Sequence, residues 1–229
     1  MLTLRNLNKR YTLDGEHSVI AVRDLTLEVS RGEFVVITGR SGSGKTTLLN
    51  LVAALTRPTS GEILLDGTNL WSLPDHQQSL LRNRKIGFIF QFPSLLPSLT
   101  VLENVALPAL FGPDQGNGGA YERAANLLET VGLADKQKAH PRQLSAGQQQ
   151  RLVIARSVMN QPELLLADEP TSNLDEQTER EVMELFRGIH ATTGVTILLV
   201  THTGQLASYG TRALEMADGA IRADCSVAS

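Results

Sequence analysis

Apolar positions along the chain gather into short continuous runs. Phe34-Val35-Val36-Ile37, Ile86-Gly87-Phe88-Ile89-Phe90, Leu164-Leu165-Leu166-Ala167 and Thr196-Ile197-Leu198-Leu199-Val200 lack the alternation of a half-exposed strand. Such runs suit strands covered on both faces of a largely parallel sheet. Between them lie helical patterns: Lys45 to Ala54 follows the first run, Gln148 to Met159 precedes the third, and Gln177 to Thr192 follows it. Strands alternating with helices predict a layered α/β domain.

Two regions depart from that alternation. The first thirty residues, with Leu25 to Val29, and the later stretch Glu62 to Gly67 read as short antiparallel strands joined by turns. From about Phe92 to Val158 the pattern is helical, and Tyr121 to Val131 places Ala124, Leu127, Leu128 and Val131 on one face. The segment Gly112 to Gly119, rich in glycine, reads as a loop. No internal repeat is visible, which sets solenoids and propellers aside. The expected architecture is an α/β core with a helical insertion.

The length of 229 residues, 41% of them apolar, fits one domain with a substantial core. A net charge of −3 and only 4% aromatic residues argue against a nucleic-acid partner, which calls for a basic face or stacking platforms. Cys225 is the only cysteine, so no internal disulfide forms and a reducing compartment is expected. The stretch Met1 to Arg5 lacks the layout of a secretory signal. No apolar run approaches the ~18 residues needed to span a bilayer. Action at a membrane would therefore require another subunit as anchor.

The strongest local chemistry is Gly39-Arg40-Ser41-Gly42-Ser43-Gly44-Lys45-Thr46, which follows a predicted strand and opens a helix. This is the G-x4-G-K-[ST] phosphate cradle. Its glycines let successive N–H groups converge on phosphate oxygens, and the helix adds the positive end of its dipole. Gly39, Ser41, Gly42, Gly44, Lys45, Thr46 and Thr47 are the expected nucleotide contacts. Lys45 is suited to the β- and γ-phosphates, and the Thr46 hydroxyl to a Mg²⁺ ion. The run Leu164 to Ala167 ends in Asp168-Glu169. Asp168 is expected in the Mg²⁺ shell and Glu169 at the water that attacks the γ-phosphate. A strand ending in two carboxylates can simply cap a turn; the cradle elsewhere in the chain favours the catalytic reading.

Leu144-Ser145-Ala146-Gly147-Gln148-Gln149-Gln150-Arg151 resembles the L-S-G-G-Q signature of ATP-binding-cassette (ABC) ATPases, with Ala146 in place of the first glycine. Ser145 and Gly147 stand just before a predicted helix, which makes a second anion site. Further family positions occur in order. Tyr11 matches the aromatic residue that faces adenine, and Gln91 the glutamine that senses Mg²⁺ and attacking water. Ser172-Asn173-Leu174-Asp175 matches the D-loop, and His202 the switch histidine near the γ-phosphate. Taken singly, Tyr11 can also be read as a surface aromatic, Gln91 as a loop polar group, Asp175 as a helix cap and His202 as a buried histidine with a satisfied ring.

The resemblance implies a P-loop NTPase (RecA-like) core with an N-terminal antiparallel β subdomain and an inserted α-helical subdomain. Residues 1–91 and 159–229 would form the core, and residues 92–158 the helical part that carries the signature. It also implies ATP and Mg²⁺ as cofactors, and a second ATP-binding subunit, a copy of this chain, whose Ser145, Gly147 and Gln148 close on the first subunit's nucleotide. Ala146 adds a methyl group where backbone would approach phosphate. Ile86 to Gln91, Leu95 to Val105 and Leu166 to Asp175 are similar to the branch that serves lipoprotein release, macrolide export and cell division (the LolD, MacB and FtsE types). Ser172 replaces that branch's usual glycine, and Phe92-Pro93-Ser94-Leu95 its usual segment. The implied partner is an integral membrane permease, which would hold the chain at the cytoplasmic face of the inner membrane. The stretch Leu95 to Leu110, with Pro97 and Pro108, is the candidate docking groove, or else core of the helical insertion. An ATPase that energises a permease is the first expectation. A regulatory ATPase signalling to a cell-wall enzyme, without cargo, is the second.

Overall fold

A computed structural model describes residues 1–13, 17–111 and 119–227. All of the loop expected at Gly112 to Gly119 except Gly119 lies outside the described residues. The chain opens with β1 (Leu2–Leu13) and β2 (His17–Val29), then β3 (Phe34–Thr38), α1 (Lys45–Val52), β4 (Ser60–Leu65), β5 (Thr68–Asn69) and α2 (Asp75–Lys85). There follow β6 (Ile86–Ile89), α3 (Val101–Leu110), α4 (Ala120–Thr130), α5 (Ala146–Ser157), β7 (Leu164–Asp168) and α6 (Glu176–Thr193). It closes with β8 (Thr196–Thr201), β9 (Arg212–Ala217) and β10 (Ala220–Ser226).

The strands form two sheets, ordered β2-β1-β4-β5 and β10-β9-β3-β8-β7-β6. In the larger sheet β6, β7, β8, β3 and β9 run parallel, with β10 antiparallel at the edge. The continuous apolar runs sit in its middle because side chains alternate between two buried faces. Val35, Ile37, Leu164, Leu166, Leu198 and Val200 pack on α1 and the antiparallel sheet. Their neighbours Phe34, Val36, Leu165, Leu199 and Ile197 pack on Val182, Met183 and Phe186 of α6. A third core, with Val101, Val105, Leu128 and Leu152, joins α3, α4 and α5.

Local capping fixes where the helices begin. Thr100 and Glu103 form a capping box on α3, Ser145 and Gln148 one on α5, and the Asp175 carboxylate caps α6. Gly194, at φ 66°, ends α6 in the left-handed conformation that glycine adopts without strain.

Two expectations need correction. The N-terminal strands are long rather than short: β1 has 12 residues and β2 has 13. The register shifts along their pairing, around Leu7 and Lys9, interrupt the alternation that would have revealed their length. The stretch from Phe92 is not helical throughout, since irregular chain with a turn at Pro97 and Ser98 runs to Thr100. Asn104, fully buried, pins that segment by accepting from the Leu96 N–H and donating to the carbonyls of Leu96, Leu99 and Thr100.

Candidate active site

Gly39, Gln91, Glu169 and His202 all follow the C-terminal ends of adjacent parallel strands, β3, β6, β7 and β8. The register places Thr38 beside Thr201 and Asp168 beside Val200, so three of these loops leave the sheet at one level. Ligands of open α/β sheets bind at this edge.

The cradle runs from Gly39 into α1. Its curl depends on glycine at two places: a Cβ on Gly39 would stand 2.2 Å from the Met216 carbonyl oxygen, and one on Gly44 2.1 Å from that of Ala21. Gly44 also sits at φ 103°, which side chains oppose. Ser41, Gly42 and Thr46 are exposed, Thr47 half-buried, and Lys45 is 5% exposed. The Lys45 ammonium donates to the carbonyls of Gly39 (2.7 Å) and Arg40 (3.0 Å) and lies 3.8 Å from a Glu169 oxygen.

Strand β7 delivers the two carboxylates to different surroundings. Asp168 is buried, accepts a 3.1 Å hydrogen bond from the Thr46 hydroxyl, and is pushed above the usual carboxylate range chiefly by burial. Glu169 turns out of the strand at φ 48°, a costly conformation for a side-chain-bearing residue and one that gathers at functional sites. That turn sends its carboxylate across to β8. One oxygen lies 2.6 Å from Nδ1 of His202 and accepts the His202 backbone N–H at 3.2 Å. Since a carboxylate only accepts, the ring contact puts a proton on Nδ1. Gln91, exposed, lines one cavity together with Glu169.

Ser145, Gly147 and Gln148 lie at the start of α5. Ser145 is exposed, and its hydroxyl accepts the Gln148 N–H at 3.2 Å while Gln148 Oε1 accepts the Ser145 N–H at 3.0 Å. Gly147 is not ahead of the helix but inside its first turn. It is buried, and a Cβ there would meet Thr178 Cγ2 at 2.5 Å. Thr178 in turn binds both oxygens of Asp175, through its N–H at 3.0 Å and its hydroxyl at 2.7 Å. Asp175 is therefore a helix cap here. Thr178 is a residue the sequence reading missed, although its place three positions after Asp175 is a capping signal. Ala146 lines a cavity of its own chain that it shares with Gln91 and Glu169.

Tyr11 is 38% exposed, pairs across the hairpin with Val19, and has the Lys9 ammonium 4.8 Å from its ring centroid. Val19 stands two residues before Ala21, whose carbonyl abuts the cradle at Gly44. No described contact joins Tyr11 to the cradle itself. The stretch Leu95 to Leu110 divides between its two readings. Val101, Val105 and Ala106 are fully buried core, whereas Leu107 and Pro108 line a groove of about 350 Å³ with Phe88, Phe90, Phe111 and Arg156.

A family model described as ABC transporter matches residues 22–172. The chain belongs to the ABC transporter family. A macrolide export ATP-binding/permease protein MacB from Syntrophobacter fumaroxidans is 45% identical over 222 residues, 96% of this chain but 31% of that protein. The chain thus spans about a third of the length of such relatives. A lipoprotein-releasing system ATP-binding protein LolD from Syntrophus aciditrophicus is 41% identical over 96% of this chain and 98% of its own length. Among solved structures, the ATP-binding cassette MJ0796, a dimer in a post-hydrolysis state bound to ADP and Pi, superimposes with a TM-score of 0.91. It is 38% identical, and the match covers all of both chains. The fold is that of an ABC ATPase cassette, with its antiparallel β subdomain and its helices. No helix among the described residues is long and apolar enough to cross a membrane.

Proposed function

We infer that this cassette hydrolyses ATP as one half of a pair and drives a separate membrane permease. The observation that carries the reading is Glu169, held in left-handed backbone at the end of buried β7 with its carboxylate between Lys45 and His202. Lys45 moves its ammonium from the loop carbonyls to the β- and γ-phosphates. Glu169 orients a water toward the γ-phosphate, and the His202 N–H keeps the carboxylate from turning away. Phosphoryl transfer asks mainly for such positioning and for charge stabilisation. Gln91 approaches the same water from β6. Tyr11 offers a face to adenine.

The residues present fit Mg²⁺. The Thr46 hydroxyl and the buried Asp168 carboxylate touch at 3.1 Å and are hard oxygen donors. No cluster of three or more His, Cys, Asp or Glu able to hold a metal occurs among the described residues, but Mg²⁺ takes only one or two protein oxygens beside phosphates and water. When bound, the ion would supply neutralising charge at the phosphate oxygens, and Asp168, Thr46 and Gln91 are the residues that would hold it.

Pairing is supported by the signature's exposure. Ser145 lies at the surface, away from its own chain's cradle in sequence, and heads a 12-residue helix whose N-terminal N–H groups favour an anion. In a head-to-tail pair, Ser145, Gly147 and Gln148 of one copy meet the nucleotide that Lys45 of the other holds. The permease reading is supported by the groove between β6 and α3, where Phe90 is 40% and Phe111 71% exposed. Short helices of an integral subunit would seat there and keep the chain at the cytoplasmic face of the membrane.

Glu169→Gln tests the mechanism. It should bind ATP as well as the parent, lose turnover by more than about 100-fold, and accumulate as an ATP-dependent dimer in size-exclusion chromatography. Hydrolysis at the parent rate would remove Glu169 from the reaction.

A further inference from the structure

A cavity of about 180 Å³ separates α5 from the sheet edge. Gln91 and Glu169 line it from the core, Ala146 and Gln150 from α5, and Ser172 and Asn173 from the loop between β7 and α6. Gln150 is 5% exposed, and its Nε2 meets no hydrogen-bond partner among the described residues. A buried, unpaired N–H is costly, and an apolar side chain of similar length would avoid the cost. Helix α5 uses apolar side chains at its other buried positions Leu152, Val153 and Ile154. At 150 it instead carries an unpaired donor, on a residue that lines the same cavity as Gln91 and Glu169.

We propose that Gln150 is a positioning residue for hydrolysis: when nucleotide closes the site, its Nε2–H reaches Oε1 of Gln91 and ties that glutamine to α5. The proposal rests on the ATPase reading and extends it. The first turn of α5 is the signature that closes on the opposite copy's nucleotide, while Gln150, one turn further along, sets Gln91 in its own copy's site. Gln150 is then the link through which each site of the pair registers closure at the other.

The test uses the full chain with Mg-ATP. Gln150→Leu should lower kcat about tenfold with KM for ATP changed less than twofold. Without nucleotide its thermal midpoint should stay level or rise, because the unpaired donor is gone. Gln150→Glu, matched in size, keeps the fold under scrutiny should the leucine variant unfold, and should lose the same kcat. In a Gln91→Ala background, Gln150→Leu should cost nothing more. Full kcat in Gln150→Leu, or losses that multiply completely in the double variant, would overturn the proposal. Hydrogen exchange supplies a readout independent of turnover: amides of Gln91, Phe92 and Ser94 should exchange faster in Gln150→Leu, and unchanged exchange there also overturns it. Loss of the ATPase reading itself would show instead as a parent protein without turnover.

Discussion

One oxygen of Glu169 lies 2.6 Å from Nδ1 of His202, while the other lies 3.8 Å from the ammonium of Lys45. The side chain of Glu169 is 12% exposed and that of His202 57%. The histidine therefore stands on the open side of the carboxylate, where it can respond to what arrives. His202→Ala should leave ATP affinity within about twofold and lower kcat by about 10²-fold, the range of one positioned hydrogen-bond donor or acid–base group. Single-turnover hydrolysis combined with equilibrium nucleotide binding separates the two quantities. An equal loss of affinity would place His202 in binding rather than in orientation.

Burial raises the pKa of Asp168, so its charged form burdens the fold at neutral pH. The sign follows: a carboxyl raised above its unfolded value stabilises the fold at low pH and loses that contribution as pH rises through the folded pKa. Asp168→Asn keeps the shape and the acceptor for Thr46 but removes the charge. Differential scanning should show a higher midpoint, together with loss of Mg²⁺-dependent hydrolysis. A lower midpoint with activity retained would contradict both roles.

Arg31, Asp66, Lys85 and Glu163 join the β2–β3 turn, the β4–β5 turn, the end of α2 and the start of β7. The Lys85 hydrogen bond holds Asp66 below the usual carboxylate range, and the Arg31 hydrogen bond does the same for Glu163. Depressed acids stabilise above their unfolded pKa, about 4, and that contribution disappears as pH falls through the folded values. The four side chains are exposed or only partly buried, so solvent screening keeps the contribution of each pair small. Urea unfolding between pH 7 and pH 3 should show Lys85→Met less stable than the parent at the upper end and converging with it at the lower. A constant difference across the range would mean that packing, not charge, links these segments.

Phe111 is exposed and lines the groove between β6 and α3, outside the hydrolytic residues. Phe111→Asp should release the chain from membranes that contain the permease proposed above, while basal ATPase and thermal midpoint stay unchanged. Sedimentation of membranes followed by blotting reads this directly, and undiminished association would move the docking site elsewhere.

Much of this architecture is legible from side-chain pattern because the buried strands are pure. Val35 and Val36, or Leu165 and Leu166, face opposite cores, and both cores demand apolar groups. The cradle and the capping boxes are equally legible because local backbone chemistry dictates them. What escaped depends on distant partners. The stretch Arg212 to Ala217 has residues that favour a helix, yet it is a strand because β3 offers it a parallel edge. Helix α2, with Gln78 its one buried residue, shows no apolar stripe to announce it. That Gly147 faces Thr178, and that Gln150 and Gln91 line one cavity, follows only from the way α5 lies on the sheet edge.

The Ala21 carbonyl occupies the space where a methyl group on Gly44 would go, and that of Met216 does so for Gly39. Two letters of the most recognisable stretch in the chain are thus dictated by neighbouring strands as well as by any ligand. A descendant that had abandoned catalysis but kept both of these strands in place would still be compelled to spell them the same way. Inactive offshoots of such a lineage are better recognised by erosion at Glu169 and His202, where folding imposes no comparable veto.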